Sequence, residues 1–186
     1  MQKRTHKVIG DRSYSYKSDV VSELGKLCVN FYKENKIATV IKHIPGHGGA
    51  YIDSHFRLPK VNSSFKYLKK NDFKCFRNMQ SFFAMTAHIL YKKIDKNNNA
   101  THSKIIINKI IRKEIGFKGI LISDDISMKS LKYNIIKNAD LALRSGCNLV
   151  LYCAGKPIEM KNLLKSLPYI DKFTAKKTSE FYKFLG

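Results

Sequence analysis

The alternation of short apolar runs with longer amphipathic stretches is the feature that most constrains the fold of this chain. The apolar runs are rich in β-branched residues, are largely apolar on both faces, and are bounded by glycine, asparagine or other polar residues. Runs of this kind are typical of strands that are buried on both sides in a parallel sheet. The sequence therefore predicts strands over residues 37–44, 81–89, 119–123 and 148–153.

The stretches between and after these runs carry apolar residues at helical spacing. In the first of them the apolar side chains recur every three or four positions, and Ser18 is a candidate N-cap. Gly116 and Gly146 follow two others, at the position where glycine often ends a helix. The predicted helices span residues 18–35, 102–115, 127–145, 157–167 and 175–185. Strands that alternate with helices define the α/β class, as a doubly wound sheet or a (β/α)₈ barrel.

The sequence contains neither a GxGxxG motif nor a P-loop, which favours the barrel over a nucleotide-binding doubly wound sheet. A complete barrel has eight strands and takes about 250 residues. This chain of 186 residues has four good strand candidates and a possible fifth at residues 8–9. We therefore expect an incomplete TIM-like (β/α) barrel that lacks its first strands, with residues 1–186 forming a single partial barrel domain.

The net charge of +21 raises the alternative of a protein that binds nucleic acid or another polyanion. Most of the 35 basic residues are lysines scattered along the chain, whereas nucleic-acid binders tend to concentrate charge on one face and to use arginine. The joint abundance of Lys, Ile, Asn, Tyr and Phe is typical of codon bias in an AT-rich genome. We interpret the charge as a solvated lysine surface with only nonspecific affinity for nucleic acid.

The N-terminal residues and the cysteines indicate the cellular compartment of the protein. Residues 1–13 are polar and basic and lack the apolar core of a signal peptide, and the apolar runs are too short to cross a bilayer. The four cysteines form no CxxC pair and are interpreted as reduced core thiols, with a disulfide or metal role as the alternative. The sequence thus predicts a cytoplasmic protein with no membrane partner.

Residues with acid–base chemistry are concentrated in the loop that follows the first predicted strand. Asp53 and His55 are two residues apart, so in extended backbone they share a side, where the carboxylate can orient the imidazole and raise its pKa. Such a pair can serve as a general acid and base. Two alternatives are a purely structural loop and a zinc site of His43, His47 and His55, although their spacing of 4 and 8 residues matches no closed zinc site.

Two carboxylates, Asp124 and Asp125, follow the third predicted strand. A carboxylate at the C-terminal end of a barrel strand indicates chemistry, so Asp124 is the candidate nucleophile. Asp125 or Ser127 can instead be the N-cap of the next helix, with no catalytic role. If Asp124 attacks the anomeric carbon and the His55/Asp53 pair protonates the leaving oxygen, the residues indicate glycoside cleavage, with a histidine in place of the usual second carboxylate.

Seven motifs, in this order, resemble the family 3 β-N-acetylglucosaminidases of bacterial peptidoglycan recycling. The likeness extends from about residue 8 to residue 155, and the order of the motifs makes it specific. The motifs are IGDRSY at 9–14, KHIPGHG at 42–48, DSH at 53–55, MTAH at 85–88, GFKG at 116–119, SDDISM at 123–128 and GCN at 146–148.

The resemblance implies a role for each candidate site residue. Asp124 would be the nucleophile, His55 the acid/base and Asp53 its orienting partner. The positions that would line the N-acetylglucosamine site are Arg12, Lys42 and His43. The resemblance also implies a TIM-like barrel, a retaining two-step mechanism with no cofactor and no metal, and a muropeptide-type substrate with a terminal β-linked N-acetylglucosamine in the cytoplasm.

The chain departs from the family pattern in two respects. Gly49 and Ala50 stand where the family usually has an Asp-Thr pair, and the strands that family members carry before the motif at 9–14 are not found here. We therefore expect one of two outcomes. Either the chain is an active enzyme, alone or once a separately encoded N-terminal barrel segment completes it, or it is an inactive remnant of a truncated or split gene.

Overall fold

The computed structural model describes residues 12–50 and 57–186, in which strands alternate with helices. The helices are α1 (Ser18–Glu34), α2 (Phe65–Asn71), α3 (Ile135–Ser145), α4 (Pro157–Ser166) and α5 (Lys172–Leu185). The strands are β1 (Val40–Ile44), β2 (Lys60–Val61), β3 (Phe83–Thr86), β4 (Leu90–Tyr91), β5 (Ile120–Asp125) and β6 (Leu149–Leu151). Also present are a π-helical segment, Ile106–Glu114, and two 3₁₀ turns, Phe73–Phe76 and Ala100–His102.

The main sheet is parallel, with its four strands in the order β1-β3-β5-β6. Each strand overlaps a run predicted from the sequence, so the α/β class and these four strands are confirmed. Strands β2 and β4 form a separate parallel pair that the sequence did not predict, because two-residue strands carry no readable periodicity. The possible strand at residues 8–9 lies outside the described residues.

The core explains why the predicted strands are so apolar. Fully buried Ile44, Ala84 and Leu121 come from β1, β3 and β5, and they belong to one cluster with side chains of the π-helical segment. The isoleucines that this segment contributes are Ile106, Ile107, Ile110 and Ile111. Full burial of such a side chain stabilises the fold by about 1.5–3 kcal/mol, so this cluster holds the segment firmly against the sheet.

Several helix starts differ from the sequence prediction, among them that of α5, which begins at Lys172 rather than at residue 175. The N-cap of α1 is Lys17, not Ser18, and no side chain caps this helix. Helix α3 begins at Ile135 rather than at residue 127, because Asn134 is its N-cap and accepts the backbone N–H of Lys137 at 2.9 Å. The predicted C-terminal glycine of this helix is confirmed, since Gly146 has a φ of 115°.

The cysteines are less buried than the sequence suggested. Only Cys147 is buried, Cys28 and Cys75 are half-buried, and Cys153 is exposed, so the interpretation of all four as core thiols is wrong for Cys153. Within residues 12–50 and 57–186, every helix falls short of the length and apolar character that crossing a bilayer requires.

Candidate active site

The C-terminal ends of three neighbouring strands bring the candidate residues together. His43 lies near the end of β1, Thr86 ends β3, and Asp124 is the penultimate residue of β5. Because these strands are parallel, their C-terminal ends meet at one edge of the sheet, where active sites of α/β proteins gather. The topology of the sheet therefore places these three residues at the same edge.

His43 and Asp124 face each other across this edge. The His43 Nε2 atom is 3.7 Å from the Asp124 Oδ2 atom, and both side chains are nearly buried, with exposures of 15% and 17%. Burial lowers the pKa of His43 to about 4, against the opposing effect of the Asp124 carboxylate. At neutral pH the imidazole is therefore uncharged. The distance is longer than a direct hydrogen bond, so Asp124 keeps Oδ2 available for chemistry.

A buried chain of hydrogen bonds fixes the backbone of Asp124. His88 Nε2 is 3.0 Å from the Asp125 carbonyl oxygen and must donate to it, so Nδ1 accepts from the Thr101 hydroxyl at 2.8 Å. Thr101 Oγ1 in turn accepts from Thr86 at 2.8 Å, and Thr86 Oγ1 accepts the Asp124 N–H at 3.4 Å. Burial lowers the pKa of His88, which agrees with a neutral ring in this tautomer.

Asp125 has a structural role. Its Oδ1 accepts the backbone N–H groups of Ser127 and Cys153, and its Oδ2 accepts the Ser127 hydroxyl at 2.7 Å. These bonds close a turn and join the end of β5 to the end of β6, so the carboxylate is occupied. The predicted N-cap role is wrong for both Asp125 and Ser127, because the next helix starts at Ile135 with Asn134 as its N-cap.

A cavity of about 600 Å³ lies beside His43, between α1 and β1. The predicted sugar-binding residues Arg12 and Lys42 line it together with His43 and His47, and both Arg12 and Lys42 are exposed. The structure therefore brings the three predicted binding residues to one cavity, and one of them, His43, is 3.7 Å from Asp124. Asp53 and His55 lie outside the described residues, so their role as the acid/base pair stays a prediction.

The alternative zinc site is only partly within the described residues. The rings of His43 and His47 are 5.7 Å apart between centroids, and His55 lies outside the described ranges. In the ranges 12–50 and 57–186, no group of three or more His, Cys, Asp or Glu residues is arranged to hold a metal ion.

Two residues that contribute to this edge were not found from the sequence. Thr101 links His88 to Thr86 from a 3₁₀ turn fifteen residues after the strand. Asp72 lies beneath the loop that follows β1, and the Gly48 backbone N–H donates to its carboxylate. Neither belongs to a recognisable motif, because each reaches the site only through a contact between distant parts of the chain.

Comparison with known proteins agrees with this geometry. The chain matches the Glycosyl hydrolase family 3 N terminal domain over residues 1–175. Among curated relatives, a beta-hexosaminidase of Nitrosospira multiformis is 34% identical over 151 residues, which are 78% of this chain and 43% of that protein. A beta-hexosaminidase of Nitrosomonas eutropha is 33% identical over 184 residues, which are 96% of this chain and 52% of that protein.

Solved structures show the same likeness. NagZ from Neisseria gonorrhoeae, in complex with N-trifluoroacetyl-D-glucosamine, superposes with a TM-score of 0.84 at 28% identity, over 95% of this chain and 52% of that chain. A family 3 beta-N-acetylglucosaminidase from a Paenibacillus species gives a TM-score of 0.85 at 26% identity, over 95% of this chain and 36% of that chain.

The chain spans about half the length of the curated relatives that it matches. Its four-stranded parallel sheet with flanking helices is part of a TIM-like α/β barrel, so the predicted fold class is confirmed. The domain match over most of the chain and the shared structure together show that this chain belongs to glycosyl hydrolase family 3.

Proposed function

We propose that this chain carries the catalytic edge of a retaining β-N-acetylglucosaminidase, which removes terminal β-linked N-acetylglucosamine from peptidoglycan fragments in the cytoplasm. The observation that carries the proposal is the position of Asp124 at the tip of β5, 3.7 Å from a neutral His43 beside a cavity. The names of the relatives, beta-hexosaminidase and beta-N-acetylglucosaminidase, support the same substrate class.

In the first step, Asp124 Oδ2 attacks the anomeric carbon and forms a covalent glycosyl–enzyme intermediate. The hydrogen-bond chain through Thr86, Thr101 and His88 keeps the Asp124 backbone in place, and Asp124 Oδ1 accepts the Asp125 N–H at 2.8 Å. These bonds limit the nucleophile to one orientation, which lowers the entropic cost of the attack.

The leaving oxygen needs a proton, which His55 would deliver while Asp53 orients its ring. In the second step the same histidine would take a proton from water, which hydrolyses the intermediate with net retention. His43 stays neutral at pH 7, so it does not form an ion pair that would hold Asp124 away from the sugar. Arg12, Lys42 and His43 would bind the sugar hydroxyl and acetamido groups.

The sugar pocket is proposed to be completed by a further barrel strand that adds to the edge of β1. Among the described residues, β1 pairs only with β3, which leaves its other edge open for a strand. Ile37 and Val40 at this edge are 51% and 41% exposed, and Phe31 of the neighbouring helix α1 is 64% exposed. A strand placed here would cover these side chains and close one wall of the cavity.

The test is hydrolysis of an aryl β-N-acetylglucosaminide by the chain alone and by the chain mixed with the corresponding N-terminal segment of a relative. We expect turnover, at least in the mixture, and its loss by about 10³-fold or more in Asp124→Asn, which keeps the shape but not the nucleophile. Asp140→Asn replaces a half-buried carboxylate on α3 that pairs with Arg144; it is the matched control and should leave turnover unchanged. If neither preparation hydrolyses the substrate, the proposed activity is wrong.

A further inference from the structure

A buried carboxylate that the proposed mechanism does not use lies beneath the loop after β1, here called the glycine loop (residues 45–50). Asp72 immediately follows α2 and is only 7% exposed. Its carboxylate accepts the backbone N–H of Gly48. Gly46 approaches Asp72 so closely that a Cβ atom added at Gly46 would be 2.6 Å from the Asp72 Cβ.

The glycine loop is held from a second side by Tyr91, which is fully buried at the end of β4. Its hydroxyl donates a short hydrogen bond to the carbonyl oxygen of Gly46. Asp72 and Tyr91 therefore bind the loop through one backbone donor and one backbone acceptor, two residues apart. Both bonds are made to main-chain groups, so they constrain the loop's path whatever its side chains are.

The buried position of the Asp72 carboxylate lowers the stability of the fold. In the part of the chain that the structure describes, its Oδ2 atom is buried and has no hydrogen-bond partner. Burial raises the pKa of this carboxyl to about 6, although the bond from Gly48 opposes the effect. A buried carboxylate with one oxygen unpaired lowers stability. Its presence is therefore not explained by stability of the fold.

The glycine loop is connected directly to the catalytic edge. The Gly46 N–H donates to the His43 carbonyl oxygen at 2.9 Å, and the Ala50 N–H donates to the His47 carbonyl oxygen at 3.2 Å. The His47 ring lies against the ring of His43, which faces Asp124. A displacement of the loop would consequently displace the imidazole that borders the nucleophile.

From these contacts we infer that Asp72 is a positioning residue, which holds the glycine loop through Gly48 and thereby sets His43 and His47 beside Asp124. The inference rests on the proposed function for its catalytic consequence, but its structural content does not depend on activity. Asp72 does not touch the reacting atoms. It acts through the loop backbone, and the acceptor oxygen rather than the negative charge is the feature that matters.

Three variants separate this role from a general effect on folding. Asp72→Ala removes the acceptor, and Asp72→Asn keeps an acceptor oxygen of the same geometry without the charge. Asp95→Ala is the matched control, because Asp95 is another buried carboxyl, 8% exposed, whose partners are Asn97, Asn98 and Ser103 rather than the glycine loop.

The first measurement is backbone hydrogen exchange over residues 44–50, which needs no substrate. We expect exchange at the Gly48 amide to rise about tenfold or more in Asp72→Ala, and to change little in Asp72→Asn and Asp95→Ala. Equal protection of this segment in Asp72→Ala and in the unaltered chain would overturn the inference, whether or not the chain is an enzyme.

The second measurement is steady-state hydrolysis of the aryl β-N-acetylglucosaminide under the conditions in which the unaltered chain turns over. We expect kcat to fall about 10- to 100-fold in Asp72→Ala with a smaller change in KM, and most of the activity to be retained in Asp72→Asn. An Asp72→Ala variant with increased exchange but unchanged kcat would refute the positioning role. Absence of turnover in the unaltered chain would instead count against the proposed function alone.

Discussion

Replacing Asp72 with asparagine should stabilise the protein at alkaline pH, although it removes a charged group that is buried in the native structure. The pKa of this carboxyl is raised from its usual 3.8 to about 6, mainly by burial. The native state therefore binds the proton more tightly than the unfolded state. The contribution of the Asp72 carboxyl to the free energy of unfolding is therefore fully present below pH 4 and is lost as the pH rises through 6.

The size of the effect follows from the pKa. Each tenfold change in the proton affinity is worth about 1.4 kcal/mol, so a pKa that rises from 3.8 to about 6 corresponds to about 3 kcal/mol of lost stability when the carboxyl is fully ionised. Asparagine does not titrate, and its side-chain oxygen can still accept the Gly48 N–H. The free energy of unfolding of Asp72→Asn, relative to that of the unaltered chain, should therefore increase by about 2 kcal/mol between pH 4 and pH 8.

Urea unfolding at pH 4, 6 and 8 measures the difference between the two chains, because titrations of all other groups are shared and cancel. The expected result is a difference in the free energy of unfolding that favours Asp72→Asn and grows with pH, with equal m-values. A difference that is independent of pH, or an Asp72→Asn variant less stable than the unaltered chain at pH 8, would refute the reasoning. Together with loop protection in Asp72→Asn, the expected result would show that the charge costs stability while the acceptor holds the loop.

Two further predictions concern the same edge of the sheet. The His43 imidazole should titrate near pH 4 in an NMR experiment, and at a still lower pH in Asp124→Asn, because the carboxylate is the main group that raises its pKa; a midpoint near 6.5 would contradict the buried geometry. Gly46→Ala should destabilise the protein by about 2–4 kcal/mol in thermal or urea unfolding, because Gly46 has a φ of 146° and an added Cβ would overlap Asp72. Gly49→Ala is the control, since its added Cβ would meet Val61 only at an ordinary 3.5 Å; equal losses in the two variants would show that Gly46 is not specially constrained.

The parallel sheet could be predicted from the sequence because its signal is local. Strands buried on both faces need continuous apolar runs, so Ile44, Ala84 and Leu121 lie in segments that are recognisable without any partner. The convergence of His43 and Asp124 then follows from topology, because parallel strands end at one edge. The role of Asp124 was inferred from its strand-end position, that of the His55/Asp53 pair from spacing, and those of Arg12 and Lys42 from the family resemblance. All of these roles remain predictions, and the Asp124→Asn variant tests the first.

The wrong predictions arise where a distant contact overrides a local preference. The sequence predicted a helix that starts at Ser127. Instead, the Asp125 carboxylate accepts the backbone N–H and the hydroxyl of Ser127, and it also accepts the N–H of Cys153. Helix α3 therefore begins only at Ile135. Similarly, Cys153 lies two residues after the end of β6 and is exposed, although the run that contains it is apolar.

The sequence by itself determined the α/β class, the parallel strands and the carboxylate at the tip of β5, because periodicity and strand-end chemistry are properties of short segments. Only the tertiary structure decided which groups surround that carboxylate. Thr101 and Asp72 reach the site across gaps of 23 and 52 residues from Asp124 in the sequence, and no local pattern records such contacts. The pKa values of His43 and Asp72 have the same origin, because burial depends on what the fold packs around a side chain.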